Sequence, residues 1–495
     1  MTNPLNKIKN APKPLKASIA YIVCSILQKS LSFITMPLFT SILTKAEYGQ
    51  FTIYTSWEAI LTILITLNLA FGSFGHAMMK YETKRDEYVS SIQSLVFLFA
   101  LLIICIYLPF SSFFNNLLEL STNLVLLMIA EILATFGLQC WLGIKRYQYK
   151  YISVVIITLL MAVLSPALAL LLIHYSNDKG TARILGYIII SIVFGGSIFV
   201  LNYIKGKKVY SKDYWLYALK FNLPLLVYYF SQVIFNQSDK IMIEKLCEEG
   251  LSDAAVYGVG HSIALILTFV LNAINNAYVP WLYESIKDGT FIKNRNMSLL
   301  ITIVLCTLVG GVIWISPEIV TIMAGKEYLE AIYVIPPISI SLILLLFSQY
   351  SINIEFYFAE KWKLVIASIG SALLNILLNL WLIPIYGFVA AGYTTMISYV
   401  VFAISNYFSI FKYIRKNGSL YRIYNFPVML ILFGAFVLIS YLGVWLYDNM
   451  MARLIIVGVV ILLVIVFIPK IKRLYQKLKA SDNDQLRGKT NEESH

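Results

Sequence analysis

The sequence predicts an all-α, polytopic membrane protein with about fourteen transmembrane helices, and three observations predict it. First, 59% of the 495 residues are hydrophobic and only 13% are charged, whereas a soluble domain carries about 25% charged residues. Second, apolar runs long enough to cross a bilayer recur along the whole chain. Third, basic residues collect in alternate connections between these runs. A soluble enzyme is therefore excluded.

The individual spans follow from a length criterion, because a membrane-spanning helix needs about 20 apolar residues. Polar segments divide the chain at this spacing. The predicted spans centre on residues 17–43, 51–75, 90–110, 120–142, 152–174, 184–204, 221–246, 256–282, 298–315, 332–358, 364–383, 388–411, 426–446 and 454–468. Prolines inside some of these runs predict breaks or kinks, at Pro37, Pro224, Pro280 and Pro427.

The orientation follows from the basic residues. Every second connection is rich in lysine and arginine, at residues 7–16, 80–85, 145–150, 205–220, 287–295, 361–363, 412–422 and 470–489. The opposite connections carry only Lys45, Lys179, Arg183, Lys245, Lys326 and Arg453. Because positive charge stays on the cytoplasmic side, both termini are predicted to be cytoplasmic. The net charge of +13 is then topological, and nucleic acid is not an expected partner.

A weak internal repeat suggests the domain organisation. Tyr48-Gly49 and Tyr257-Gly258 each begin a span just after an external turn, and six spans separate the two copies. Copies in the same orientation indicate parallel repeats, although chance similarity is the alternative. The predicted organisation is a basic N-terminus (1–16), an N-lobe of six helices (17–204), a cytoplasmic linker (205–220), a C-lobe of six helices (221–411), a terminal helix pair (426–468) and a basic, polar tail (469–495).

Several chemistries are disfavoured. The five cysteines lie in or beside apolar runs without the paired spacing of a disulfide framework or zinc site. No phosphate-binding loop of the Walker type occurs, and the four histidines show no metal-ligand spacing. The sequence predicts neither a cofactor nor a metal site. Energy for transport would then come from an ion gradient, the membrane potential or the substrate's own gradient.

Charged residues within spans are the first candidate functional residues, because each costs about 2.5 to 3.5 kcal/mol to insert. Lys29 lies about 18 Å along the first span, near mid-membrane, and Gln28 belongs to the polar face beside it. Glu131 is equally central in the fourth span, whereas Glu58 and Glu355 lie closer to span ends. The structural alternative is an ion pair between Lys29 and Glu131.

The seventh span carries a second polar face. Tyr229, Gln232, Asn236 and Asp239 recur at i, i+3, i+7 and i+10, which is one stripe of a helix. Lys240 follows directly, and the alternative for this lysine is that it snorkels to the interface.

The eighth span continues the pattern with Asn272 and Asn275. Amides on inward faces can bond sugar hydroxyls, but they also join helices to each other at about 0.6 kcal/mol each.

Two segments of the chain resemble a known family. PLFTSILTKAEYGQFTIYTSW (37–57) and LPLLVYYFSQVIFNQSDKIMIEKL (223–246) resemble the Wzx-type flippases, the polysaccharide transporter branch of the multidrug/oligosaccharidyl-lipid/polysaccharide exporter superfamily. The resemblance implies two helical bundles around a central cavity that opens alternately to either side. It places the family's Leu-Pro on Leu223-Pro224 and its aspartate on Asp239, and Lys29 matches a charged first span by position. Many relatives have twelve spans, so the last pair departs from their pattern.

The resemblance also implies a function. The substrate would be an undecaprenyl-diphosphate-linked oligosaccharide repeat unit, moved outward across the cytoplasmic membrane for O-antigen or capsule synthesis. Lys29 would attract the diphosphate, and Glu131, Glu58, Asp239 or Glu355 would bind a coupling proton or sodium ion. Membrane lipids, a glycan polymerase and chain-length machinery are the expected partners.

Two other functions stay open. One is a drug or cation antiporter of the same superfamily, which an anionic cavity would favour. The other is a membrane-embedded glycosyltransferase or polymerase, although the first external turn offers only Glu47 as an acidic group.

Overall fold

The computed structural model describes residues 13–358, 362–416, 423–456 and 458, and all regular structure in these residues is helical. This confirms the predicted all-α class. In chain order the helices are α1 (Lys13–Ile42), α2 (Lys45–Thr66), α3 (Ser73–Lys80), α4 (Arg85–Tyr107), α5 (Ser111–Leu118), α6 (Thr122–Tyr147), α7 (Tyr151–Tyr175), α8 (Lys179–Gly206), α9 (Lys212–Leu246), α10 (Leu251–Ala264), α11 (Thr268–Asp288), α12 (Phe291–Trp314), α13 (Ser316–Ala324), α14 (Ile335–Tyr357), α15 (Trp362–Tyr386), α16 (Val389–Lys416) and α17 (Phe426–Trp445). Short 3-10 segments lie at Glu82–Lys84, Leu265–Leu267 and Lys326–Tyr333.

Twelve helical segments of the described chain are long and apolar enough to cross a membrane, so the protein is a multi-pass membrane protein. They coincide with twelve of the predicted spans. The other two predicted spans, 51–75 and 454–468, are not among the twelve. Most of 454–468 and all of the tail 469–495 lie outside the described residues. The count of fourteen therefore stays a prediction.

The predicted span 51–75 is divided between α2 and α3. A capping box starts α2: the Thr44 N–H donates to Glu47 Oε2 at 2.8 Å, and the Glu47 N–H donates to Thr44 Oγ1 at 3.3 Å. The helix ends where Leu67 and Asn68 adopt left-handed backbone angles, with φ of 47° and 53°. The turn is apolar in composition, so a hydropathy pattern does not reveal it.

The start of α9 also differs from the predicted boundary. Only residues 207–211 connect α8 to α9, whereas the predicted linker covers 205–220. The Trp215 indole N–H donates to the Ser91 carbonyl at 2.8 Å and holds the first turn of α9 against α4. A tertiary hydrogen bond thus extends the helix beyond its apolar run.

The prolines separate into two groups. Pro37, Pro224 and Pro280 lie inside continuous helices. Pro427 instead occupies the first turn of α17, where a helix leaves its N–H groups unpaired in any case. The break predicted at Pro427 is therefore wrong, because the proline begins a helix there.

The described chain forms two compact units. The first unit combines residues up to 259 with 321–330 and 365–394, and the second contains 260–320, 331–364 and residues from 395 onward. The division into lobes at 17–204 and 221–411 stays a prediction.

Small residues determine how tightly α8 packs in the first unit. A Cβ on Gly186 would lie 2.4 Å from the Ala169 Cα in α7. A Cβ on Gly195 would lie 2.6 Å from the carbonyl carbon of Ala134 in α6. Membrane helices pack closely where small residues let their backbones approach. In the first unit, α8 therefore lies directly against α6 and α7.

The Tyr-Gly pairs of the sequence repeat lie close together in the first unit. A Cβ on Gly49 would lie 2.0 Å from the Leu251 carbonyl oxygen, and a Cβ on Gly258 would lie 2.9 Å from Thr52 Cγ2. Both glycines serve one purpose, since each lets the starts of α2 and α10 approach.

The second unit has an aromatic core. Tyr350 and Tyr424 stack with ring centroids 5.0 Å apart, and the Tyr278 hydroxyl donates to the Tyr424 hydroxyl at 3.1 Å. Tyr424, which lies just before α17, thus connects α11 and α14 inside an otherwise apolar cluster.

Arg453 connects a further part of the second unit. Its guanidinium donates to both carboxylate oxygens of Glu318, each at 2.9 Å, and to the Trp314 carbonyl at 2.8 Å. Only 2% of Arg453 is exposed, so it is a buried structural residue and not the exposed loop charge that the sequence predicts.

Candidate transport site

The first candidates lie on α1. Lys29 is exposed, whereas Gln28 is half-buried and donates to the Thr158 carbonyl of α7 at 3.4 Å. Cys24, one turn earlier, lies 3.0 Å from the Thr158 hydroxyl. Gln28 thus contacts α7. The polar face that is predicted to include Lys29 stays a prediction.

Glu131 is fully buried in the first unit. The Tyr54 hydroxyl of α2 donates to Glu131 Oε2 at 2.6 Å. Glu58 lies one turn further along α2 than Tyr54 and is half-buried. In the described hydrogen bonds Glu131 therefore pairs with Tyr54, and not with Lys29 as the structural alternative holds.

The predicted polar stripe of α9 meets α15. The Gln232 amide donates to the Ser368 hydroxyl at 2.7 Å, and the Asn236 amide donates to the Gln232 carbonyl at 2.7 Å. The Tyr229 hydroxyl lies beside Gly72, 3.2 Å from where a Cβ would stand. The stripe exists, and it joins helices within the first unit.

Asp239 lies at the centre of a buried polar network, with 2% of its surface exposed. The Tyr257 hydroxyl donates to its Oδ2 at 2.7 Å, and the Asn379 amide donates to its Oδ1 at 2.6 Å. Asn379 in turn donates to Asn375 Oδ1 at 3.3 Å and accepts from the Thr394 hydroxyl. Carboxylate, amide and hydroxyl groups of α9, α10, α15 and α16 therefore converge, and oxygens of these types are the ligands that hard cations prefer.

Lys240 lies beside this network without joining it in the described hydrogen bonds. Its Nζ donates to Gln237 Oε1 at 3.1 Å, and the Ser56 hydroxyl of α2 donates to the same oxygen at 3.2 Å. Lys240 is half-buried, and interfacial snorkelling stays the alternative for it.

The remaining candidates belong to the second unit. Asn272 is exposed on α11, and Asn275 accepts a hydrogen bond from the Asn353 amide of α14 at 2.8 Å. Glu355, 1% exposed, accepts from the Ser409 hydroxyl of α16. These residues form local helix contacts.

Comparisons with known proteins identify the family. A family model described as "Polysaccharide biosynthesis protein" matches residues 15–286, which is more than half of the chain. The chain belongs to this family. It is 23% identical over 384 residues to a Lsg locus protein of Haemophilus influenzae, covering 74% of this chain and 90% of the relative. An uncharacterized membrane protein of the same organism is 24% identical over 379 residues, covering 73% and 88%.

Solved structures with the same fold are transporters. The lipid II flippase MurJ in an inward closed conformation matches with a TM-score of 0.59 at 16% identity, covering 88% of this chain and 100% of that chain. An inward-facing multidrug resistance MATE family transporter of the MOP superfamily matches with a TM-score of 0.62 at 13% identity, covering 78% and 95%. The family and these neighbours are not enzymes.

Sequence reasoning missed three residues of these clusters. Tyr54 could have been found, because it precedes Glu58 by one helical turn. Tyr257 belongs to the repeated Tyr-Gly pair, whose partner Asp239 no pattern indicates. Arg183 was assigned to an external connection, but α8 includes it and its guanidinium lies 4.1 to 4.4 Å from the ring centres of Phe39, Tyr48 and Phe51.

Proposed function

We propose that this protein is a flippase that moves undecaprenyl-diphosphate-linked oligosaccharide repeat units from the cytoplasmic to the outer leaflet. The observation that carries the proposal is membership of the polysaccharide biosynthesis family, together with a fold like that of a lipid II flippase. Sugars and a diphosphate cannot cross hydrocarbon without replacing their hydration. A helical protein that provides polar groups at membrane depth meets this requirement.

Lys29 is the proposed diphosphate contact. Lys29 is exposed on the spanning helix α1, most of whose residues are not buried. A charge at this depth normally faces a wet path or a substrate. An ammonium binds phosphate as a point charge.

The amides are the proposed sugar contacts. Gln28, Gln232, Asn236, Asn272 and Asn275 supply donors and acceptors of the kind that sugar hydroxyls bond. Tyr229 and Lys240 complete the proposed set.

Cation binding is the proposed source of energy, by alternating access coupled to a proton or sodium gradient. The Asp239 network supports this step, because its oxygens come from four helices and a cation bound there would hold those helices together. Glu58, Glu131 and Glu355 are the other proposed coupling residues.

The proposed location is the cytoplasmic membrane, with both termini in the cytoplasm, on the basis of the loop charges. A glycan polymerase and chain-length machinery are the proposed downstream partners, since they consume the flipped repeat unit. The alternative function, a drug or cation antiporter, is favoured by the fold shared with a multidrug resistance transporter.

The test uses the purified full chain in vesicles that contain a fluorescent undecaprenyl-diphosphate-linked oligosaccharide. Translocation is read as the fraction of glycan that an added glycosidase can reach. We expect Lys29→Ala to translocate roughly ten- to a hundredfold more slowly, since a hydrogen bond to a charged group contributes about 1.5 to 3 kcal/mol. Lys29→Arg should retain most of the rate.

The matched control is Lys326→Ala, which removes an exposed lysine from an external connection. Its rate should equal that of the unmodified chain. A chain that moves a cationic drug but not the glycan lipid would establish the antiporter instead. Equal rates for Lys29→Ala and the unmodified chain would remove Lys29 from the site.

A further inference from the structure

Two glutamates that are 73 positions apart in the sequence lie on neighbouring helices of the first unit. Glu131 of α6 is fully buried, and Glu58 of α2 is half-buried, one helical turn beyond the Tyr54 whose hydroxyl donates to Glu131 at 2.6 Å. The two oxygens of Glu131 differ. Oε2 accepts the hydrogen bond from Tyr54, whereas Oε1 is buried and accepts no hydrogen bond in the described structure.

The surroundings of the pair contain no compensating positive charge. Among the described residues, the groups that act on the two carboxyls are each other, the hydroxyls of Tyr54 on α2 and Tyr187 on α8, and Ser191 on α8. Apart from the two carboxyls themselves, all of these groups are hydroxyls. Two bare carboxylates would therefore repel each other in a region of low dielectric, where that repulsion is weakly screened.

One shared proton would remove the repulsion between the two carboxylates and would also supply a donor to Oε1 of Glu131. If Glu58 carries it, the Glu58 O–H can donate to the unpaired Oε1 of Glu131, and the pair holds a charge of −1 instead of −2. Neighbouring carboxyls that share one proton are a general solution to this repulsion. A buried acceptor without a donor otherwise costs about 1 to 3 kcal/mol.

We propose that Glu58 and Glu131 form a single site that holds one exchangeable proton between α2 and α6, separate from the Asp239 network. The site lies in one unit and involves three helices, since α8 supplies Tyr187 and Ser191. Loss of the proton creates a second buried negative charge and pushes the two carboxyls apart. The proton therefore controls how closely α2 and α6 pack. Resting on the proposed function, this site is where the transport cycle exchanges its proton.

The experiment measures the shared proton directly. Infrared difference spectra of the full chain in detergent, recorded across a pH titration, follow the C=O stretch of protonated carboxyls. We expect one component of the protonated-carboxyl band at neutral pH to belong to the pair, and this component should be lost in both Glu58→Gln and Glu131→Gln. The double variant should lose no more than either single variant, because the proton belongs to the pair.

Control variants separate the pair from other acids. Glu327→Gln removes an exposed carboxyl of an external connection and should leave the band unchanged. Tyr54→Phe removes the donor to Oε2 and should shift the pH at which the band disappears. If one glutamine variant fails to fold, as judged by its elution profile, the other still tests the proposal.

Two outcomes would overturn the shared proton. Single variants that each remove half of the band, with the double variant removing all of it, would mean two independent protons. A band that persists in both single variants would mean that the proton lies elsewhere. Neither outcome depends on translocation. A chain that passes this titration but fails to move the glycan lipid would therefore refute the proposed function and leave the site intact.

Discussion

Gly195 provides a sharp test of how α8 is held, because its neighbour Gly196 is a matched control on the same helix. A Cβ on Gly195 would lie 2.6 Å from both the carbonyl carbon and oxygen of Ala134, and 3.1 Å from its Cβ. A Cβ on Gly196 would meet only Cγ2 of Ile192, at 3.9 Å. The two substitutions add the same methyl group to adjacent residues. Only one of them forces helices apart.

The expected magnitudes follow from these distances. Carbon atoms prefer separations of about 3.5 to 4.0 Å, so Gly195→Ala must move α8 away from α6 by roughly 1 Å. Overpacking of this kind costs about 1 to 3 kcal/mol. Gly196→Ala creates no clash and gains up to about 1 kcal/mol of helix propensity. The free energies of unfolding of the two variants should therefore differ by about 2 to 4 kcal/mol.

The assay is thermal denaturation of the purified full chain in detergent, followed by helical circular dichroism and by the monodisperse fraction after heating. Gly195→Ala should melt below the unmodified chain, and Gly196→Ala should melt at or above it. The reasoning would be refuted if Gly195→Ala melted at or above Gly196→Ala. In that case the contact with Ala134 does not limit the approach of α8.

The remaining predictions concern two ion pairs near the ends of helices. Arg453→Met should lower the free energy of unfolding by about 3 to 5 kcal/mol, because it leaves Glu318 and the Trp314 carbonyl without their buried donor. Arg453→Lys should lower the free energy of unfolding by less, because it keeps the positive charge. Equal melting temperatures for Arg453→Met and the unmodified chain would contradict this prediction. Glu119, between α5 and α6, has its pKa lowered by a hydrogen bond from Glu244 and by the ammonium of Lys245. A lowered pKa stabilises the fold above the ordinary glutamate range and ceases to do so as pH falls through the lowered value. Glu119→Gln should therefore be less stable than the unmodified chain at neutral pH, and the melting temperatures of the two chains should converge as the pH is lowered. A difference in melting temperature that does not change with pH would show that the charge of Glu119 is not its cause.

Much of the fold was predictable from the chain alone. Apolar runs and alternating basic connections led to the all-α class and to twelve spans that the structure contains. Both signals are properties of single residues relative to a membrane, so they need no knowledge of neighbours. The same criterion failed at Leu67 and Asn68, where an apolar turn divides a predicted span. Hydropathy does not register backbone conformation.

The candidate residues followed from the sequence, but their partners did not. Glu131 and Glu58 were singled out because charges inside spans are costly, yet no periodicity connects residues on different helices. The hydrogen bond from Gln28 to the Thr158 carbonyl of α7 is likewise invisible to helical spacing.

The sequence by itself therefore determined which segments are helices in a membrane and which side chains carry cost at depth. The tertiary structure alone decided that Tyr54 meets Glu131, that Asp239 meets Asn379, and that Arg183 is enclosed by aromatic rings. The physical reason is that pairing depends on helix rotation and on how closely backbones approach. In the first unit that approach is set by glycines such as Gly195, whose missing side chain leaves no mark on hydropathy.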